Sequence, residues 1–165
     1  MAAMTIPETR QAQRVMTRKT KAIYWISTLW LALGMLSTGL VQLLRMKAEG
    51  GASVDGITHL GYPVYLLTIL GVWKLLGVAA VLAPKSPLLK EWAYAGFFFD
   101  LTGAAVSHAA VGDPMVDILA PMFFLALVAA SWALRPSGRM LGAPAASGVQ
   151  RSELTAATGP IAVAA

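Results

Sequence analysis

Apolar residues run through this chain in four long blocks, at residues 22–44, 63–83, 88–110 and 114–134. A helix that crosses a bilayer needs about 20 mostly apolar residues, so each block predicts one spanning helix. The punctuation between blocks agrees. Pro63, Pro87 and Pro114 stand at or near the first helical position, where a missing N–H does no harm, and Pro84 and Pro136 follow helix ends. Short connections make successive helices run in opposite directions. The expected fold is all-α, a four-helix transmembrane bundle running up-down-up-down. It divides the chain into a basic segment at 1–21, the bundle at 22–134 and a flexible tail at 135–165. One connection differs: residues 45–61 carry Glu49, Asp55, His59 and several glycines, and are long enough to act as a lid. The first block exceeds the 7 to 15 residues of a signal-peptide core and reads as a retained helix.

Composition sharpens this picture. Hydrophobic residues make up 57% of the chain and charged residues 13%, against about 25% charged in a soluble domain. The placement of the basic residues sets the orientation. Arg10, Arg14, Arg18, Lys19 and Lys21 precede the first block, Lys85 and Lys90 lie between the second and third, and Arg135, Arg139 and Arg151 follow the fourth, whereas only Arg45 and Lys47 fall on the other side. By the positive-inside rule both termini are cytoplasmic. The net charge of +5 is then a topology and headgroup effect, and nucleic acid is not an expected partner. Trp25, Trp92 and Trp132, with Tyr24, read as the inner aromatic belt, and Tyr62 and Tyr65 as the outer one.

The chain has no cysteine, which excludes disulfides, thiolate metal sites, iron–sulfur clusters and covalent c-type haem. A redox role would need a bound organic cofactor such as a quinone, a haem with other ligands, or a neighbouring subunit.

Small residues mark packed helix faces in lipid. They predict contact through Ser27, Gly34, Thr38 and Val41 on the first helix. On the second the stripe is Gly71, Lys74, Gly77 and Val78, and on the third Gly96, Asp100, Gly103, Ala104 and Ser107. These stripes contain Lys74 and Asp100, the only ionisable residues deep inside the apolar blocks. Each lies about 15 Å from the outer surface at 1.5 Å per residue, near the middle of a hydrocarbon core about 30 Å thick. A charge there costs roughly 2.5 to 3.5 kcal/mol on insertion scales and marks a functional candidate by default.

Two readings of the pair stand side by side. It is a salt bridge that fixes helix packing, or it is a site where a proton or a polar head such as a quinone carbonyl exchanges with the charges. The second reading makes Lys74 and Asp100 candidate catalytic and cofactor-binding residues, and a Schiff base on Lys74 with Asp100 as counter-ion is a variant of it. A cavity beside the pair favours the second reading and a sealed interior the first.

A second group gathers at the outer end. His59, His108, Asp113 and Asp117 have the donor chemistry of a divalent-metal site such as zinc, and His108 is also a candidate cofactor contact. Each has a plainer role: Asp113 before Pro114 suits an N-cap, and Asp117 suits the positive end of the helix dipole. Haem ligands would be expected deeper in the helices. Pro121 deprives the carbonyl of residue 117 of its usual donor. At the inner end, Glu91 reads as dipole compensation and a partner for Lys90.

In sequence, the chain carries His59-Leu60-Gly61-Tyr62-Pro63, Trp73-Lys74-Leu75-Leu76-Gly77, Leu89-Lys90-Glu91-Trp92-Ala93-Tyr94-Ala95-Gly96-Phe97, Phe99-Asp100-Leu101, Ser107-His108 and Gly112-Asp113-Pro114. In this order they resemble the DoxX-like family of small bacterial membrane proteins, over residues 23–134. The resemblance implies a multi-pass protein of the bacterial inner membrane. DoxX-type proteins include a membrane subunit associated with thiosulfate:quinone oxidoreductase, so it also implies an accessory or quinone-interacting subunit of a membrane redox system. Its partners would be the lipid bilayer, redox subunits or further copies of itself. The alternatives are a stand-alone membrane enzyme acting on a lipophilic substrate through Asp100 and Lys74, and a structural or assembly subunit.

Overall fold

The computed structural model describes residues 17–47, 51–84, 86–136 and 139–140. Most of the basic segment and of the tail, together with Glu49 and Lys85, lies outside the described residues. Those described form five α-helices and no strand: α1 (Arg18–Leu43), α2 (Val54–His59), α3 (Tyr65–Leu82), α4 (Pro87–Val111) and α5 (Met115–Ala133).

The four long helices follow the four apolar blocks closely. α1 begins earlier than its apolar block because the Thr17 side chain accepts the Thr20 N–H at 3.3 Å, an N-cap that satisfies an otherwise orphaned donor. α2 lies within the expected lid connection. It is too short for a hydrophobic period to show, and it rests on a cap in which the Ser53 side chain accepts from the Gly56 N–H at 3.1 Å. Three helices, α1, α3 and α5, are long and apolar enough to cross a membrane. α4 is as long, but Lys90, Glu91, Asp100 and His108 lower its apolar content.

α1 packs chiefly on α3 and α4 chiefly on α5, while contacts of α3 with α4 and of α1 with α5 close a ring. Specific pairs show that α3 and α4 run in opposite directions. Lys74 of α3 meets Asp100 of α4, while further along α3 the carbonyls of Ala80, Val81 and Ala83 accept from Lys90 near the start of α4.

Glycines decide how closely α1 and α3 approach. A Cβ on Gly71 would lie 2.9 Å from the Gly39 carbonyl oxygen and 3.0 Å from the Leu43 nitrogen, and one on Gly39 would lie 3.1 Å from the Lys74 Cβ. The two backbones touch because neither residue has a side chain, as is usual where helices associate in lipid.

On α3 the expected small-residue face is the buried one, with Gly71, Lys74, Gly77 and Val78 all inside. On α4 the expectation fails. Gly96 and Gly103 face open space, and the buried face instead carries Ala93, Tyr94, Phe97, Leu101 and Ala105. The reason is complementary packing. A Cβ on Gly77 would fall 2.7 Å from the Phe97 ring, so a large residue of α4 fills the gap that a glycine leaves on α3.

The half of the bundle remote from α2 is solid. Leu31, Met35, Val81, Tyr94, Phe97 and Val128 form its apolar core. Beside them the Ser131 hydroxyl, fully buried, bonds to Thr28 Oγ1 at 2.6 Å and to the Tyr94 hydroxyl at 2.7 Å. Tyr24 is fully buried rather than part of an interfacial belt, and its hydroxyl accepts from Arg139 at 3.0 Å. Glu91 does not pair with Lys90. It accepts from Arg135 at 2.7 Å and from the Trp132 indole at 3.0 Å, while Lys90 turns inward to cap the carbonyl end of α3, where the helix dipole favours a cation.

Gly71→Ala is expected to force α1 away from α3, since its Cβ would meet backbone rather than a flexible side chain. Overpacking of this kind costs about 1 to 3 kcal/mol, and thermal unfolding in detergent would show it. An unchanged melting temperature would show that α1 and α3 can separate freely. Ala on the open Gly103 is expected to leave stability unchanged.

Candidate functional site

Halfway along α3 and α4, Lys74 Nζ lies 3.3 Å from Asp100 Oδ2, with the two side chains 10% and 16% exposed. The pairing expected from equal depth is present. It is not sealed. A cavity of about 620 Å³ begins at the pair and extends to the end of the bundle where α2 lies. Its apolar walls include Met35, Leu66, Leu70, Leu101 and Phe124. Gly51, Ala52, Ser53, Ile57, Leu60 and Tyr62 supply its wall from the segment containing α2, so the expected lid is where that segment sits.

The cavity exists because small residues face one another around it. Thr38, Gly103, Ala104, Ser107 and Ala120 all line it, where larger side chains would fill the space. Thus the small-residue stripe of α4, absent from the helix contact, borders the cavity through Gly103, Ala104 and Ser107. Gln42 also lines it. This side chain is 3% exposed, and its Oε1 has no hydrogen-bond partner among the described residues. Sequence reasoning passed over Gln42. A lone amide near the end of an apolar helix was the available signal.

Side-chain bonds tie the segment containing α2 to the bundle. Arg45 donates to Thr68 Oγ1 at 3.1 Å. Ser107 Oγ donates to the Gly103 carbonyl at 2.8 Å, which leaves the Tyr62 hydroxyl to donate to Ser107 at 2.9 Å. His59 Nε2 meets Asp113 Oδ1 at 2.6 Å.

Asp113 is the hub of this end. Its other oxygen lies 2.6 Å from His108 Nδ1, so one carboxylate spans an exposed imidazole on α2 and a buried one on α4. Hydrogen bonds from His108 and then His59 hold its carboxyl below the usual carboxylate range. An ionised Asp113 accepts, so Nδ1 of His108 carries the proton and, in the neutral ring, Nε2 is an acceptor. That nitrogen faces Gly51, where a Cβ would lie 2.7 Å away.

The expected N-cap role of Asp113 is not what the structure has. The N-cap position of α5 is Pro114, one residue further on, and no side chain caps the helix, while both Asp113 carboxylate oxygens bond the imidazoles. Of the four residues read as metal donors, His59, His108 and Asp113 come together and Asp117 stands apart, in the first turn of α5 and in the cavity wall. Among the described residues no group of three or more His, Cys, Asp or Glu is arranged to hold a metal ion. The three that meet do so through short hydrogen bonds that occupy the atoms a metal would need.

A carboxyl whose pKa is depressed by folding adds stability that is fully present above its unfolded value, about 4, and lost as pH falls through its folded value. Acid unfolding of the purified protein is therefore expected to show a component below pH ~4 that Asp113→Asn removes. An identical acid-unfolding curve for the two proteins would mean that the carboxylate is not bonded as described.

The profile of the DoxX-like family matches residues 26–131, a stretch that contains every residue of the cavity wall. No curated protein and no solved structure matches the chain. Together with the three long apolar helices, the family match indicates a membrane protein whose helices lie in a lipid bilayer. On a match covering well over half its length, the chain belongs to the DoxX-like family.

Proposed function

We propose that this protein is a multi-pass component of the bacterial inner membrane that holds a quinone-like lipophile beside Lys74 and Asp100, as an accessory subunit of a membrane redox system. In this reading α4 crosses the bilayer with α1, α3 and α5 in an up-down-up-down bundle, and both termini are cytoplasmic. On this reading α4 is able to cross because Asp100 is matched by Lys74 and the Lys90 ammonium is hydrogen-bonded by the carbonyls that end α3.

The single observation that carries the reading is the cavity. Its volume of about 620 Å³ lies within the range of roughly 300 to 1,000 Å³ typical of small-molecule sites, and it combines apolar walls with a few polar groups, as such sites do. Lys74 supplies a donor for a carbonyl oxygen at its deep end. The same opening beside Asp100 favours a second reading, an enzyme acting on a lipophilic substrate with Asp100 as acid or base and Lys74 tuning it. A purely structural ion pair needs no cavity next to it.

Decylubiquinone is expected to bind the full chain in lipid nanodiscs, with calorimetry as the readout. Lys74→Met should weaken binding about tenfold, the worth of a charge-assisted hydrogen bond. Because that variant leaves Asp100 uncompensated, Lys74→Met combined with Asp100→Leu serves as the folded control and should bind as weakly. Equal affinity in wild type and the double variant would overturn the proposal. Turnover of a lipophilic substrate by the isolated chain, lost in Asp100→Asn, would select the enzyme reading.

A further inference from the structure

The polar groups at the lid end of the cavity are not evenly divided between donors and acceptors. Three of the hydroxyl donors are already used. Tyr62 donates to Ser107, Ser107 to the Gly103 carbonyl, and Thr38 to the Gly34 carbonyl at 2.9 Å. The acceptors are not. His108, 9% exposed, bonds only through Nδ1, and its Nε2 has no partner among the described residues. The Asp117 carboxylate lines the same cavity and likewise has no partner among them. Four residues on, Pro121 has no N–H for the Asp117 carbonyl. Gln42 offers both a donor and an acceptor and does not discriminate.

We infer that the lid end of the cavity selects a lipophile whose head group donates a hydrogen bond, a hydroxyl in preference to a carbonyl or an ether, with His108 Nε2 as the receiving atom and Asp117 beside it. The inference rests on the reading of the cavity as a lipophile site and adds the chemistry of its second polar position. That position is separate from the Lys74–Asp100 pair. His108 stands eight positions beyond Asp100 on α4, about 12 Å along the helix, so a single ring does not reach both. The deep end presents a cation suited to a carbonyl, and the lid end presents acceptors suited to a hydroxyl.

Two further features fit this role. Asp113 holds the His108 ring in the tautomer that leaves Nε2 free to accept. Gly51 keeps the space in front of Nε2 clear, since a methyl group there would sit 2.7 Å from it. A buried acceptor left unpaired by its ligand carries a desolvation penalty, which is what turns an inventory of acceptors into selectivity.

The test compares 4-nonylphenol with its methyl ether, 4-nonylanisole, binding to the full chain in nanodiscs by calorimetry. The wild type is expected to prefer the phenol about tenfold. His108→Phe keeps a ring of similar shape and should reduce the preference to less than about threefold while ether binding persists. Gly51→Ala, which crowds Nε2 without removing it, should act in the same direction. A preference that came only from the bulk of the ether methyl would survive His108→Phe, and that result overturns the inference. So does equal affinity of the wild type for both probes, which leaves the lipophile site itself standing. Failure of both probes to bind would overturn both the inference and the reading on which it rests.

Discussion

Two opposite charges 3.3 Å apart, halfway along α3 and α4, are the constraint to which the rest of this bundle answers. Neither charge is affordable alone in an apolar interior, and each makes the other tolerable. Their meeting sets the register of α3 on α4. Once that register is set, Lys90 reaches the carbonyl end of α3 and the Phe97 ring fits over Gly77. The backbone contact of Gly39 with Gly71 places α1 against the same stretch of α3. The pair is thus held from two sides while a third side stays open.

The ion pair also separates two kinds of interior. Away from the lid, bulky side chains and the hydroxyl network around Ser131 fill the space between helices. Toward the lid, the facing residues are small and the volume remains empty. Solid packing on one side gives the hollow side a fixed shape, because close-packed side chains do not deform continuously. The lid segment joins the bundle through few contacts, of which the His59–Asp113–His108 bridge is the most polar.

The errors of sequence reasoning share one cause. Lys90 and Glu91 are neighbours with opposite charges, yet each finds a better partner on another helix, Lys90 on α3 and Glu91 at Arg135. Asp113 precedes a helix and would cap it in isolation, yet two imidazoles from separate elements claim it. Gly96 and Gly103 form a small-residue stripe, yet helix packing used the large residues one position round the turn. In every case a local rule was outweighed by a contact that only the folded bundle brings about.

What the sequence determined by itself was everything that follows from hydrophobic length and residue depth. It set the positions of the four long helices and the pairing of Lys74 with Asp100. These depend on each helix's own residues, readable along a single chain and measured against a fixed bilayer thickness. Tertiary structure alone decided which helix faces meet, that the ion pair borders a cavity, and that Gln42, His108 and Asp117 share that cavity. The space between helices is what remains after all side chains have been placed, and no single segment contains that information.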